Sequence, residues 1–184
     1  RTLAAFVRHG VTHIWEGTDH LAFLLALLLP SVLRRTTSVP RTWEAVPSFR
    51  VALLDVLAIV TAFTVAHSVT LTLSALDVVR LPSRFVESAI AASVVFAAAN
   101  NVVPLVREDR WLAAFALGLL HGFGFSATLA DLELPRADLA LALFGFNAGV
   151  ELGQAAVVAA FVPLAFLARR TWAYRRVALV GGSV

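Results

Sequence analysis

Apolar residues fall in long blocks along the chain, and a helix needs about 20 such residues to cross a hydrocarbon core. Five blocks meet that length: Leu3 to Leu29, closed by Pro30; Val51 to Leu76; Phe85 to Leu105; Trp111 to Leu129; and Leu139 to Leu167, with Pro163 near its end. After Arg176 the run VALVGGSV reads as a sixth span cut short. No linker or low-complexity stretch separates the blocks. The pattern predicts an all-α, polytopic transmembrane helix bundle of five complete spans plus a truncated sixth, with residues 1–184 forming a single transmembrane domain.

Polar residues interrupt these blocks at selected places. The first opens as HIWEGTDHLAFLLALLL, which puts His13, Glu16, Asp19 and His20 on the way into the bilayer. A charged group at that depth costs roughly 2.5–3.5 kcal/mol on insertion scales, so the face must point into the bundle. At 100° per residue, His9, His13, Glu16 and His20 fall within about 60° of one another. The second block brings Thr64, His67 and Ser68 on one face, and the third brings Glu87 and Asn101 on one face. The fourth has His121 and Ser126, and in the fifth Asn147, Glu151 and Gln154 recur at i, i+4 and i+7. Counted from the outer end of each helix, His13, His67, His121 and Asn147 lie eight to ten residues in, roughly 12–15 Å deep at 1.5 Å per residue. Independent helices thus place polar groups at one level, as a single intramembrane site requires. Each residue also has a plainer reading. A lone buried His is commonly a hydrogen-bonded packing residue. Thr64, Ser68 and Thr72 fit back-bonding to the preceding turn. Asn147 and Gln154 fit as polar contacts between helices. Asp55 fits a pair with Arg50 or a headgroup.

Charge supplies an orientation. The chain has 15 basic residues, all Arg, and a formal net charge of +3. Ten of them (Arg34, Arg35, Arg41, Arg50, Arg107, Arg110, Arg169, Arg170, Arg175 and Arg176) fall on one side of the spans, and five on the other. The ten-Arg side is expected to be cytoplasmic, with the N-terminus outside. Trp43, Trp111 and Trp172 fall at the same edges, as an interfacial belt would have them. The mean hydropathy of +0.83 excludes an ordinary soluble domain. No basic helix or aromatic RNA motif interrupts the apolar runs, so the expected partners are the lipid bilayer and a metal ion, not nucleic acid. Assembly into a homo-oligomer is left open. The chain lacks an initiator Met, and a processed product or a fragment is expected.

With no Cys in the sequence, thiolate ligation is excluded. Imidazole with carboxylate suits a borderline divalent cation such as Ni²⁺, Zn²⁺ or Co²⁺. The candidate metal ligands are His13, Asp19, His20, His67 and His121. Glu16, Glu87, Asn147, Glu151 and Gln154 are candidate accessory groups, with Glu151 expected to face the His13–His67–His121 layer. His13 and His20 stand two turns apart, about 10.5 Å along an unbroken axis. They meet one ion only if the helix breaks, which Gly17 permits, or else each combines with ligands of other helices. Two functions are compatible with such a site. One is transport of a divalent transition metal. The alternative is an intramembrane zinc-dependent hydrolase, with Glu16 or Glu151 as general base and Ser68 orienting substrate.

In order along the chain, HIWEGTDHLAFLLALLL, FTVAHSVTLTLS, VESAIAAS, GLLHGFGFS and FNAGVELGQ resemble the HupE/UreJ family of bacterial membrane proteins, and the pattern is closer to its second, broader subgroup. The resemblance implies a nickel permease linked to hydrogenase or urease maturation. It also implies that the first-helix signature His-x5-Asp-His, read here as His13, Asp19 and His20, supplies metal contacts.

Overall fold

The computed structural model describes residues 2–35, 43–103, 106, 109–124 and 136–180. Seven α-helices dominate it. They are α1 (Leu3–Glu16), α2 (Thr18–Leu28), α3 (Phe49–Ala75), α4 (Ser83–Val102), α5 (Arg110–Gly122), α6 (Arg136–Ala168) and α7 (Trp172–Val180). The expected all-α chain is interrupted by one short antiparallel ribbon in the Arg-rich connection before α3. There β1 (Leu33–Arg35) pairs with β2 (Trp43–Ala45) in the register Leu33↔Ala45 and Arg35↔Trp43.

Among the described residues, three helices are long and apolar enough to cross a membrane: α3, α4, and residues Asp138–Ala168 of α6. These match the second, third and fifth expected spans. The first expected span is divided at Gly17 into α1 and α2, of 14 and 11 residues. The fourth is present as the 13 residues of α5, and the rest of its expected run, with Ser126, lies outside the described residues. Of the run expected as a sixth span, residues 177–180 fall in the nine-residue helix α7, which is not among the helices long enough to cross a membrane, and residues 181–184 lie outside the described residues.

Two close pairs organise the bundle, α1 along α6 and α3 along α5. In the first, the sequence brings glycine to glycine. A Cβ on Gly149 would stand 2.9 Å from the Gly10 Cα and would strike the Val7 carbonyl oxygen. With no side chain on either residue the two backbones touch, as small residues allow between membrane helices. Gly153 faces Ile14 in the same seam. Apolar layers then fill the spaces between the pairs. Ile14, Leu71, Leu143, Phe146 and Val150 form one cluster, and Leu24, Leu28, Val56, Val60, Val158 and Val162 form another.

The Arg-rich end is tied by polar contacts. Arg110 Nη1 donates to Asp55 Oδ2 at 2.8 Å, and the same guanidinium donates to the Leu27 carbonyl. Asp55 therefore pairs with Arg110, not with Arg50 as the sequence spacing allowed. Asn101 donates to the Ala26 carbonyl at 2.8 Å, and Tyr174 to the Leu29 carbonyl at 2.8 Å. The carbonyls left over where α2 ends are thus satisfied by side chains of α4, α5 and α7.

Gly149→Val should force α1 from α6 and cost about 1–3 kcal/mol, the usual penalty of overpacking. Thermal unfolding in detergent measures this, and an unchanged Tm would contradict the glycine-to-glycine crossing.

Candidate metal centre

The site begins with the interruption at Gly17. Its backbone, at φ −74° and ψ 93°, leaves the helical region. Its N–H still closes α1 on the His13 carbonyl at 3.1 Å, while its own carbonyl accepts from Leu21 at 3.0 Å and opens α2. A Cβ at this position would lie 2.5 Å from the His13 carbonyl oxygen, 3.1 Å from His20 Nδ1 and 3.3 Å from Asp19 Oδ1. Glycine is required here for want of space. The result is that His13 and His20 face each other with ring centroids 4.4 Å apart.

His67 of α3 and His121 of α5 complete the cluster, both fully buried. His67 lies 6.3 Å from both His13 and His20, and His121 lies 5.0 Å from His20, centroid to centroid. The ligand atoms form two overlapping groups, His13–His20–His67 and Asp19–His20–His121, and within each group all lie within 4.8 Å of one another. Three nitrogens around one tetrahedral ion at about 2.1 Å stand about 3.4 Å apart, so modest side-chain rotation brings either group onto a cation. His20 belongs to both.

Several buried nitrogens here have no well-formed hydrogen bond: both of His20, both of His67, and Nδ1 of His121. Asp19 Oδ1 approaches His20 Nδ1 at 3.2 Å, short of good hydrogen-bond geometry but within ionic reach. Buried polar atoms are ordinarily satisfied, and each neutral imidazole here offers one lone pair that a cation would take up. Around them stand aromatic faces. Phe23 and Phe63 lie 4.8 Å and 5.3 Å from His121, and Phe146 lies 5.2 Å from His13. On the other side of His20 a narrow cavity is lined by Leu24, Leu27, Ile59, Val60 and Phe63, with space for roughly one water molecule.

The five expected ligands thus converge, and the expected accessory carboxylates do not. Glu16, Glu87 and Glu151 are exposed, as is His9. The expectation that Glu151 faces the histidine layer is overturned by small rotations. Glu151 is turned about 40° from Asn147 and about 60° from Gln154, which carries it past the edge of the packed face of α6. His9 and Glu16 are turned similarly, about 40° and 60° from His13. Asn147 and Gln154 serve α3 instead of Glu151: Ser68 donates to Asn147 Oδ1 at 2.8 Å, and Thr64 to Gln154 Oε1 at 2.8 Å. These two hydroxyls reach across to α6, whereas Thr72 does back-bond, to the Ser68 carbonyl at 2.7 Å. With Glu16 and Glu151 turned outward and Ser68 engaged by Asn147, the residues expected to act as general base and substrate guide for hydrolysis do not assemble. One polar neighbour escaped the sequence reading. Ser93 of α4 lies 2.8 Å from His121 Nε2. It is a single hydroxyl in the apolar run AIAASVV, without the helical stripe that marked the other spans.

A family described as HupE / UreJ protein matches residues 1–184, so the chain belongs to the HupE/UreJ family over its whole length. Neither the curated proteins nor the solved structures give a match.

Gly17→Ala should distort the approach of His13 to His20 and weaken Ni²⁺ binding by about 10–100-fold, the range seen when groups that orient metal ligands are lost. Calorimetric titration of the purified protein measures it. Wild-type affinity in Gly17→Ala would show that the interruption does not build the site.

Proposed function

We propose that this chain, a member of a family associated with nickel and cobalt uptake, carries a divalent transition metal across the bacterial inner membrane through the His13–Asp19–His20–His67–His121 cluster. The observation that carries the reading is the sharing of His20 between two three-ligand groups. A transported ion must bind well enough to shed water and weakly enough to leave, which successive overlapping sites provide. In one group the ion meets three imidazoles. In the other, Asp19 adds a negative charge and His121 replaces His13 and His67. Passing between them requires an exchange of partners around His20, not release into lipid.

Nickel is the cargo assigned here because the family is associated with nickel and cobalt uptake, while the imidazole and carboxylate donor set leaves Co²⁺ and Zn²⁺ as competitors. The ion enters from the end away from the arginines. Beyond His20 the way inward is mostly apolar, through Leu24, Leu27, Ile59, Val60 and Phe63 with Gln154 also on its wall, and the Arg110–Asp55 pair ties the far end. Such a path is closed, so transport needs the inner half to open, and the protein works as a carrier and not as a standing pore. In this reading α1 and α2 together make the first span and α5 belongs to the fourth, giving five spans with the N-terminus outside.

Proteoliposomes holding the protein should accumulate Ni²⁺ above empty vesicles, and His20→Ala should abolish the accumulation while leaving Tm within a few degrees. The ligand contributes to binding, whereas the helices are held by their apolar faces. Equal uptake by empty vesicles and protein-containing ones contradicts transport, and normal uptake by His20→Ala contradicts the shared ligand.

The orientation is tested by cysteine labelling, which has no background because the chain has no Cys. In sealed cells, Ser83→Cys should react with an impermeant maleimide added outside, and Arg170→Cys should not. The reverse pattern contradicts the orientation.

A further inference from the structure

We infer that Ser93 fixes the tautomer of His121, so that the Nδ1 lone pair is held ready for the metal. The argument is one of proton bookkeeping. Ser93 Oγ lies 2.7 Å from the Ile90 carbonyl oxygen, one turn back on α4, and 2.8 Å from His121 Nε2. A hydroxyl has one proton and two lone pairs, and a carbonyl only accepts. Two oxygens 2.7 Å apart with no proton between them repel, so the Ser93 proton goes to Ile90. Ser93 then has only lone pairs to offer His121, and its neighbour Nε2 must carry a hydrogen. A neutral imidazole carries a single N–H. Nδ1 is therefore bare, and it is this nitrogen that is buried without a hydrogen-bond partner.

The opposite tautomer fails on both sides of the ring. It would set the Nε2 lone pair against the Ser93 oxygen and bury an N–H at Nδ1. The helix also fixes the serine itself. Ser93 is buried among Val86, Ile90 and Ala97, the inward face of α4, and its back-bond to Ile90 sets the rotamer. Ser93 is thus a positioning residue that acts through His121. It does for this imidazole what a carboxylate or carbonyl partner does for other metal-bound histidines.

The inference rests on the metal reading of the cluster but not on transport, and its test separates the two. In ¹⁵N-histidine-labelled, metal-free protein near pH ~8, where an ordinary imidazole is neutral, the His121 resonances should show a protonated Nε2 and a bare Nδ1. Ser93→Ala should give a mixture of tautomers and weaken Ni²⁺ binding by about 10–100-fold. Ser93→Thr, whose hydroxyl can make the same back-bond, should restore both. A protonated Nδ1 in the wild-type protein overturns the inference, whatever the variants do. Wild-type Ni²⁺ affinity in Ser93→Ala overturns the positioning role. If tautomer and affinity behave as expected but vesicles take up no Ni²⁺, transport alone falls.

Discussion

A continuous helix would set His13 and His20 about 10.5 Å apart along its axis, and the bundle instead brings their rings to 4.4 Å. The whole site follows from that difference. The chain steps out of helical geometry at Gly17, the two rings face each other across that step, and His20 stands beside His67 of α3 and His121 of α5. The same step frees backbone groups that an apolar environment leaves expensive. Here they are reused at once, the Gly17 N–H by His13 and the Gly17 carbonyl by Leu21. Because a Cβ at residue 17 would meet His13, Asp19 and His20 together, the residue that breaks the helix is also the one the ligands pack against.

Burying four imidazoles among apolar side chains opposes folding unless their nitrogens are satisfied. The surrounding residues divide that task. Phe23, Phe63 and Phe146 cover ring faces and edges, excluding water. Ser93 holds one edge of His121. On the next face of α3, Thr64 and Ser68 are joined to Gln154 and Asn147, so that α3 and α6 are linked beside the site without supplying further charge. What remains are ring nitrogens, joined in one group by a carboxylate oxygen, gathered within 4.8 Å of one another in each group. The nearby charge is Asp19, which is half-buried, and the inner half beyond His20 is closed by aliphatic and aromatic side chains together with Gln154.

Much of this was legible in the sequence, and the parts that were not failed for identifiable reasons. Span lengths read from apolar blocks matched α3, α4 and α6 to within a few residues because hydropathy and length carry that information directly. The candidate ligands emerged because a histidine deep in an apolar run is costly, and several at one depth imply a common site. The break at Gly17 was visible only as an option, since a glycine permits unwinding without requiring it. The carboxylates were misplaced because a helical stripe is wide. Asn147, Glu151 and Gln154 share 60° of arc, and only the packing of α6 against α1 and α3 decides where its edge falls. Asp55 was given the wrong arginine because Arg50 is near in sequence while Arg110 is near in space. Ser93 gave too little signal, being one small polar residue in an apolar helix.

The central claim is that His20 binds the metal in common between two groups of ligands. X-ray absorption of the nickel-loaded protein tests it most directly, because scattering from imidazole rings reports how many histidines surround the ion. The account predicts at least two imidazoles per nickel in the wild-type protein and a loss of bound nickel when His20 is replaced by Ala. A nickel surrounded by oxygen alone, or an imidazole count unchanged in His20→Ala, would contradict it.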